Sequence, residues 1–250
     1  MAIFPGIVTY IAEGYFVHLF VKDVSQRRLL MIKNSTRYGR FALNVMNVKT
    51  QVTGAERELD QSGRLWVSNH MSWLDLLIMA SIRPVIFVTS VDMGEIPFLG
   101  WMTKAGGSIF VERRNREKIQ YDIQQIREAL KAGFNVVLFP EGTSTDGSAI
   151  LPFKRSLMTA VQGEPEPLLP LTLFYKKING SPFSKQNRDY VCWYGRMSFV
   201  PHLISLFSRS SVEAEIYVHP PLSYPTDIGK EEMAGQVHDI VASRYGSHGQ

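Results

Sequence analysis

Cysteine is nearly absent: Cys192 is the one thiol in 250 residues, so a disulfide scaffold and a cysteine-rich metal domain are both excluded. No histidine stands in an HExxH pattern or beside a cysteine pair, which leaves zinc chemistry without a ligand set; no catalytic metal and no cofactor are expected. The glycine-rich phosphate cradles GxxxxGK[ST] and GxGxxG are missing, as is the GxSxG turn that presents a nucleophilic serine. Cys192 lies in a Trp/Tyr-rich stretch away from the turns described below, so a covalent acyl- or phospho-enzyme has no evident nucleophile. What is present, 45% hydrophobic, 20% charged and 11% aromatic residues, is the composition of one folded core with a small accessory element, and disorder is excluded.

A long uninterrupted apolar run is lacking too. Ile3 to Val21 is rich in Ile, Val, Phe and Tyr but is broken by Pro5, Gly6, Thr9, Glu13, Gly14 and His18. A spanning helix needs about 20 predominantly apolar residues, and a carboxylate near its middle is costly. A secretory signal would carry positive charge before its apolar run, whereas here the charge follows. Between residues 1 and 49, seven basic side chains (Lys22, Arg27, Arg28, Lys33, Arg37, Arg40, Lys49) face two acids (Glu13, Asp23), while the remaining 20 basic and 21 acidic residues nearly cancel. The basic excess is therefore a property of the N-terminal segment and points to an anionic surface. Phe4, Ile7, Val8, Ile11, Tyr15 and Leu19 recur at helical spacing, and Val24 to Val48 is also compatible with a helix. Two helices lying in a lipid interface account for this pattern, and two helices packed on the body with a solvated basic face are the alternative. Nucleic-acid binding ranks last, because the basic run is tied to an apolar segment and to no recognition motif.

From about residue 50 onward, short apolar runs alternate with helical stretches. Strands are predicted at Leu65–Ser68, Val85–Thr89, Gly106–Val111, Asn135–Phe139, Leu168–Tyr175 and Val212–Val218, the last half-exposed by its alternation. Helices are predicted at Trp73–Ser81 and Glu117–Ala132, and loops at Gly163–Pro167 and Lys176–Asp189. This rhythm implies an α/β fold with ligands at the turns that follow the strands.

Those turns hold the chemistry. Asn69-His70-Met71-Ser72-Trp73-Leu74-Asp75 follows the first of these strands. On one continuous helix His70 and Asp75 would lie about 140° apart, so they meet only with His70 in the turn and Asp75 in the first helical turn. The imidazole then serves as a base near neutral pH, and the carboxylate fixes its tautomer. Ser72-x-x-Asp75 is equally a capping box, in which Asp75 would serve only the helix terminus. Phe139-Pro140-Glu141-Gly142-Thr143-Ser144 ends a buried strand with an acid, a glycine and two hydroxyls suited to a polar or anionic headgroup, or else forms an ordinary tight turn. Gly107 to Arg113 ends another strand in charge and is followed by Arg114, Arg116 and Lys118; one Arg there can grip a phosphate bidentately, the rest forming a solvated face, and Lys154 after Phe153 is a weaker candidate. A base without a nucleophile suggests a substrate that brings its own hydroxyl.

In this order and at these separations, Asn69-His70-x4-Asp75, Gly107-x-x-Phe110-Val111-x-Arg113 and Phe139-Pro140-Glu141-Gly142-Thr143 resemble the blocks of the lysophosphatidic acid acyltransferase (1-acylglycerol-3-phosphate O-acyltransferase) family, over roughly residues 60 to 175. The resemblance implies an α/β fold of the glycerol-3-phosphate acyltransferase type, a mixed sheet flanked by helices. Together with the reading of the N-terminal segment from its own charge and spacing, this divides the chain into a helical membrane-association segment, 1–49, and an acyltransferase domain, 50–250. The resemblance implies His70 as general base on a lysolipid hydroxyl and Asp75 as the group that orients it. Arg113 would bind the acceptor phosphate, and Glu141, Gly142, Thr143, Ser144 and Lys154 would line the acceptor site. The resemblance also implies acyl-CoA or acyl carrier protein as the acyl donor, and a soluble donor in turn implies the cytoplasmic face of a membrane, which the N-terminal segment is expected to meet without spanning. Ser144 stands where many members carry Arg, and Ser156 where Gly commonly follows the Phe-Lys block. Members that acylate other lysolipids, lyso-ornithine lipid among them, are similar at these places. Lysophosphatidic acid is thus the first-ranked acceptor and lyso-ornithine lipid the alternative. A non-enzymatic protein that holds anionic lipid, and a thioester hydrolase, are the readings from other classes.

Overall fold

In the computed structural model, which describes residues 3–112, 117–164, 168–207 and 211–245, the alternation of apolar runs and helical stretches becomes one mixed sheet. Two helices come first, α1 (Ile3–Phe20) and α2 (Val24–Val45). The chain then runs through β1 (Val48–Gly54), β2 (Leu65–Ser68), α3 (Trp73–Ile82), β3 (Val85–Ser90), α4 (Val91–Glu95), α5 (Leu99–Ala105), β4 (Ile109–Val111), α6 (Ile119–Lys131) and β5 (Asn135–Leu138). It closes with β6 (Leu168–Ile178), β7 (Ser181–Pro182), α7 (Phe199–Phe207), β8 (Val212–Val218) and α8 (Lys230–Tyr245). The strand order is β1-β8-β6-β2-β5-β3-β4, with β7 paired to β6. β2 is parallel to both β5 and β6, and β3 is parallel to β5 and β4, so the turns after β2, β4 and β5 leave the sheet at one edge. Val67 of β2 lies opposite Leu138 of β5, which brings the turns after these two strands side by side.

Helices cover both faces of the sheet, which is why its central strands are continuous apolar runs and not alternating ones. Trp66 faces a layer made with Leu74, Ile78 and Met79 of α3, while Leu65 and Val67 face Ile126 of α6 and Val237 of α8 on the other side. Each such side chain, once fully buried, contributes on the order of 1.5–3 kcal/mol.

Several predicted boundaries move for identifiable reasons. The strand expected at Gly106–Val111 starts at Ile109, because Gly106 caps α5 and Gly107 takes φ +71 to leave the helix. The loop expected from Lys176 is in part sheet: β6 runs to Ile178 and returns as β7 through Asn179-Gly180, both at positive φ (52 and 78), the geometry favoured by tight hairpins. The half-exposed strand expected at Val212–Val218 is mostly buried, because β8 lies between β1 and β6. Its Glu215 is buried against the Lys176 ammonium at 2.9 Å and accepts from Thr53 Oγ1 at 2.7 Å.

The charged interruption of α1 faces its neighbour, while the Thr9 hydroxyl bonds back to the Pro5 and Gly6 carbonyls of its own helix. Glu13 pairs with Arg37 and accepts from Tyr38 Oη at 3.1 Å, both on α2. α2 in turn packs along α3, and α1 lies against α2 and α5. Phe4, Val8, Phe16, Leu19 and Phe20 of α1 remain exposed, and no helix among the described residues is long and apolar enough to cross a membrane. α1 approaches α5 at Gly14, where an added Cβ would meet Ala105 Cβ at 2.5 Å and the Ala105 carbonyl oxygen at 2.7 Å.

That contact is testable. Gly14→Val is expected to lower stability by about 1–3 kcal/mol through overpacking and to speed proteolysis within α1. An unchanged urea midpoint together with unchanged cleavage would show that α1 does not depend on this close approach.

Candidate active site

Asn69 ends β2 by imitating a strand residue with its side chain. Its Nδ2 donates to the Leu173 carbonyl at 2.8 Å and its Oδ1 accepts from the Leu173 amide at 2.9 Å. The main chain is thereby free to turn away from the sheet. In that turn the His70 amide donates to Glu141 Oε1 at 2.7 Å, and the His70 carbonyl accepts from the Thr145 amide at 3.0 Å. The imidazole stacks on Phe139, with ring centroids 4.2 Å apart and planes 18° from parallel.

Asp75, fully buried in the first turn of α3, has both oxygens in use. Its Oδ2 lies 2.9 Å from His70 Nδ1 and accepts from the amides of Met71 at 2.7 Å and Ser72 at 2.8 Å. Its Oδ1 accepts from Tyr175 Oη at 2.5 Å. The capping box is complete, with Ser72 Oγ accepting from the Leu74 amide at 3.3 Å. The cap and the histidine pair, which compete when the sequence is read alone, are thus made by the same carboxylate. Because Asp75 only accepts, His70 Nδ1 is the protonated nitrogen, and Nε2, with no partner among the described residues, keeps a lone pair. Sequence reasoning missed Tyr175, whose signal is a hydroxyl on a strand with no aqueous face: a buried phenol needs a partner.

Glu141 brings the second turn against the first. Oε1 takes the His70 amide and Oε2 the Leu151 amide at 2.8 Å, so the carboxylate ties β5 to both the histidine turn and residue 151. Burial pushes its pKa up to about 7; the two amide donors and the His70 side chain oppose that shift, and Asp75 reinforces it. Each Glu141 oxygen thus accepts from a backbone amide, so this side chain braces the turn that the sequence assigned to the acceptor site. Gly142, at φ +72, leaves no room for a side chain beneath the Lys154 ammonium. Thr143 is exposed, and Ser144 Oγ donates to the Trp193 carbonyl. Arg113 lies outside the described residues.

The stretch holding Cys192 is not remote from the turns, as its place in the sequence suggests. The Trp193 amide donates to the Met71 carbonyl at 2.8 Å, and the Cys192 carbonyl accepts from His202 Nε2 at 3.0 Å. His202 Nδ1 accepts from Trp73 Nε1 at 3.0 Å, fastening α7 to the start of α3. Burial first, then Asp75 and Asp146, drives the Cys192 thiol well up, so it stays protonated and is no nucleophile. Beside Trp73, an apolar cavity of ≈ 170 Å³ opens between α1, α2, α3, α5 and α7, with Ile7, Ala42, Leu76, Phe87 and Leu203 in its walls.

Residues 49–173 match the family described as Acyltransferase. The lyso-ornithine lipid O-acyltransferase of Rhizobium meliloti is 30% identical over 220 residues, 85% of this chain and 73% of that protein. The 1-acyl-sn-glycerol-3-phosphate acyltransferase of Neisseria gonorrhoeae is 31% identical over 137 residues, 55% of this chain and 53% of that protein. Among solved structures, the 1-acyl-sn-glycerophosphate acyltransferase PlsC of Thermotoga maritima shares the fold, with a TM-score of 0.67 over 96% of this chain and 89% of that chain at 22% identity.

Glu141 makes stability depend on pH. The folded state holds its proton more tightly than the unfolded chain, so this contribution is fully present below about 4.5 and is lost as pH rises through about 7. Glu141→Gln is expected to abolish that decline, a difference of about 3 kcal/mol, measured as urea midpoints at about pH 5 and about pH 8. The same decline in the variant would assign the proton to another group.

Proposed function

The chain belongs to the Acyltransferase family, and from that premise we propose that it transfers a fatty acyl chain from the thioester of acyl-CoA or acyl carrier protein to the free hydroxyl of lyso-ornithine lipid, with His70 as the general base. The observation that carries the catalytic assignment is the Asp75–His70 pair, which leaves Nε2 as an unprotonated, unengaged nitrogen at the edge of the sheet. Nε2 takes the proton of the acceptor hydroxyl as its oxygen bonds to the thioester carbon. When the resulting tetrahedral adduct collapses, the carbon–sulfur bond breaks and His70 returns the proton to the departing thiolate. Asp75 stabilises the imidazolium between these steps, and Glu141 and Tyr175 are positioning residues.

Two observations support lyso-ornithine lipid over the first-ranked lysophosphatidic acid. The Rhizobium relative aligns across 85% of the chain, the Neisseria relative across 55%. Ser144, which replaces a cation common in the family, spends its hydroxyl on the Trp193 carbonyl. Lysophosphatidic acid is retained as the second reading because Lys154, over Gly142, still supplies one cation beside this turn; Gly142, Thr143, Ser144, Lys154 and Arg113 would then meet its headgroup. The apolar cavity beside Trp73 suits an acyl chain. The exposed apolar face of α1, with the basic excess of the first 49 residues, supports monotopic attachment, and a soluble acyl donor favours the cytoplasmic face of the membrane.

The test is thiol release from acyl-CoA and from acyl carrier protein with lyso-ornithine lipid, lysophosphatidic acid or no acceptor. Lyso-ornithine lipid should stimulate release most, and His70→Ala should lower the stimulated rate by about 10²–10⁴-fold. Greater stimulation by lysophosphatidic acid would reverse the choice of acceptor, and equal rates for wild type and variant would remove His70 from the mechanism.

A further inference from the structure

A second cavity, of ≈ 290 Å³, lies at the other end of the α1–α2 pair. Its walls carry His18, Arg27, Arg28 and Lys104, its floor includes Met31 and Phe110, and no Asp or Glu lines it. β4, which borders it, is three strands from β2 in the sheet, ~14 Å at the usual strand spacing. His70 is not among its walls.

The cations in this cavity have no carboxylate within its walls. Arg27, Arg28 and Lys104 form no ion pair among the described residues, and none has an interaction beyond those described. Arg27 and Arg28 lie near the start of α2, whose first turn holds no acid although that end of a helix favours negative charge. Asp23, just before α2, is occupied as its cap, accepting from the Gln26 amide at 2.6 Å. Burial, then the neighbouring Arg27, lowers the affinity of Arg28 for its proton, and Glu128 of α6 is the carboxylate that opposes this. An anion in the cavity would relieve all of these at once, and two guanidiniums beside an ammonium form a phosphate grip.

The rim indicates where the anion comes from. Tyr15 (39%), Leu19 (74%) and Phe20 (67%) of α1 and Val24 (57%) of α2 are exposed around the turn that borders the cavity. Trp101 (54%), one helical turn before Lys104 on α5, adds an aromatic of the type that settles at membrane interfaces. Apolar groups at this density beside cations place the cavity at headgroup depth.

We propose that this cavity is a discrete binding site for a phosphate group, supplied by an anionic phospholipid of the surrounding leaflet that is not consumed in the reaction. The site rests on the reading that α1 and α2 face the membrane, and it orients the enzyme by seating one lipid headgroup between α1, α2 and α5. Acceptor binding at His70 is a separate event.

Full-length protein is to be tested by flotation with phosphatidylglycerol/phosphatidylcholine vesicles and by native mass spectrometry from detergent. Arg27→Gln with Arg28→Gln should weaken binding to the anionic vesicles about 10- to 30-fold, at about tenfold or less per cation, and abolish a one-to-one phosphatidylglycerol adduct; Lys104→Gln alone should weaken both. The pair Lys22→Gln and Lys33→Gln, exposed on the same N-terminal segment but outside the cavity, should leave the adduct intact. Equal losses in the two pairs would reduce the effect to diffuse surface charge and overturn the site. Displacement of the adduct by inorganic phosphate or by CoA at concentrations that leave vesicle binding unchanged would make the ligand a soluble anion and overturn the lipid assignment. Thiol release in detergent with a soluble short-chain acceptor should be unchanged in the Arg pair. A raised acceptor KM there with unaltered flotation would make the cavity part of the substrate path, and a wild type that binds no vesicles would end the membrane reading itself.

Discussion

One buried carboxylate holds the reactive end of this protein together. Asp75 receives four donors, three of them on Oδ2: the His70 imidazole, the turn backbone at two successive residues, and a phenol on β6. Burying a carboxylate costs several kcal/mol, and a hydrogen bond to a charged group returns about 1.5–3 kcal/mol. Four such bonds are enough to offset the burial. The start of α3, the tautomer of His70 and the placement of Tyr175 are therefore not independent features. Loss of the carboxylate leaves the Met71 and Ser72 amides without that acceptor in an apolar interior, and the Tyr175 phenol with the Ser72 side chain as its neighbour.

Glu141 shows the same calculation with fewer donors. It has two amides instead of four partners, burial outweighs them, and the group stands near the midpoint of its titration at neutral pH. Because one of those amides is that of His70, two blocks 71 positions apart in the chain form a single hydrogen-bonded unit. The parallel, in-register pairing of β2 with β5 makes this possible, since it delivers both turns to the same edge at the same height.

The sheet was legible from the sequence because buried parallel strands between helices leave dense apolar runs, and β2 and β8 fall within the predicted bounds. What escaped was information about neighbours. β8 alternates like a half-exposed strand, yet Glu215 is inside, made tolerable by Lys176 from an adjacent strand. Asn179-Gly180 is a hairpin signal that a long polar stretch concealed. The His70 and Asp75 pairing was visible in the spacing, whereas Tyr175 on Asp75 and the Trp193 strap on Met71 depend on chain separations of a hundred residues or more, which local pattern does not encode. Glu141 was recognised as important, but its bracing of two turns was not visible, since a carboxylate that binds ligand and one that braces a turn look alike in one dimension.

On the proposed mechanism, a base with no nucleophile of its own also explains why so much of the chain surrounds the reaction without touching it. General-base assistance is worth about 10²–10⁴-fold, whereas holding two reactants in attack geometry can supply about 7–11 kcal/mol. The larger share must therefore come from whatever fixes the acyl chain and the acceptor relative to Nε2, and from keeping water away from the thioester. The apolar cavity beside Trp73 is walled by α1, α2, α5 and α7 as well as by α3, and Trp73 is held through His202 to the strap that docks on the histidine turn. On the proposed mechanism, the N-terminal helices thus do more than attach the protein to a surface: they complete one side of the slot that aligns the substrate, and displacing them should be felt in the rate of transfer as well as in membrane binding.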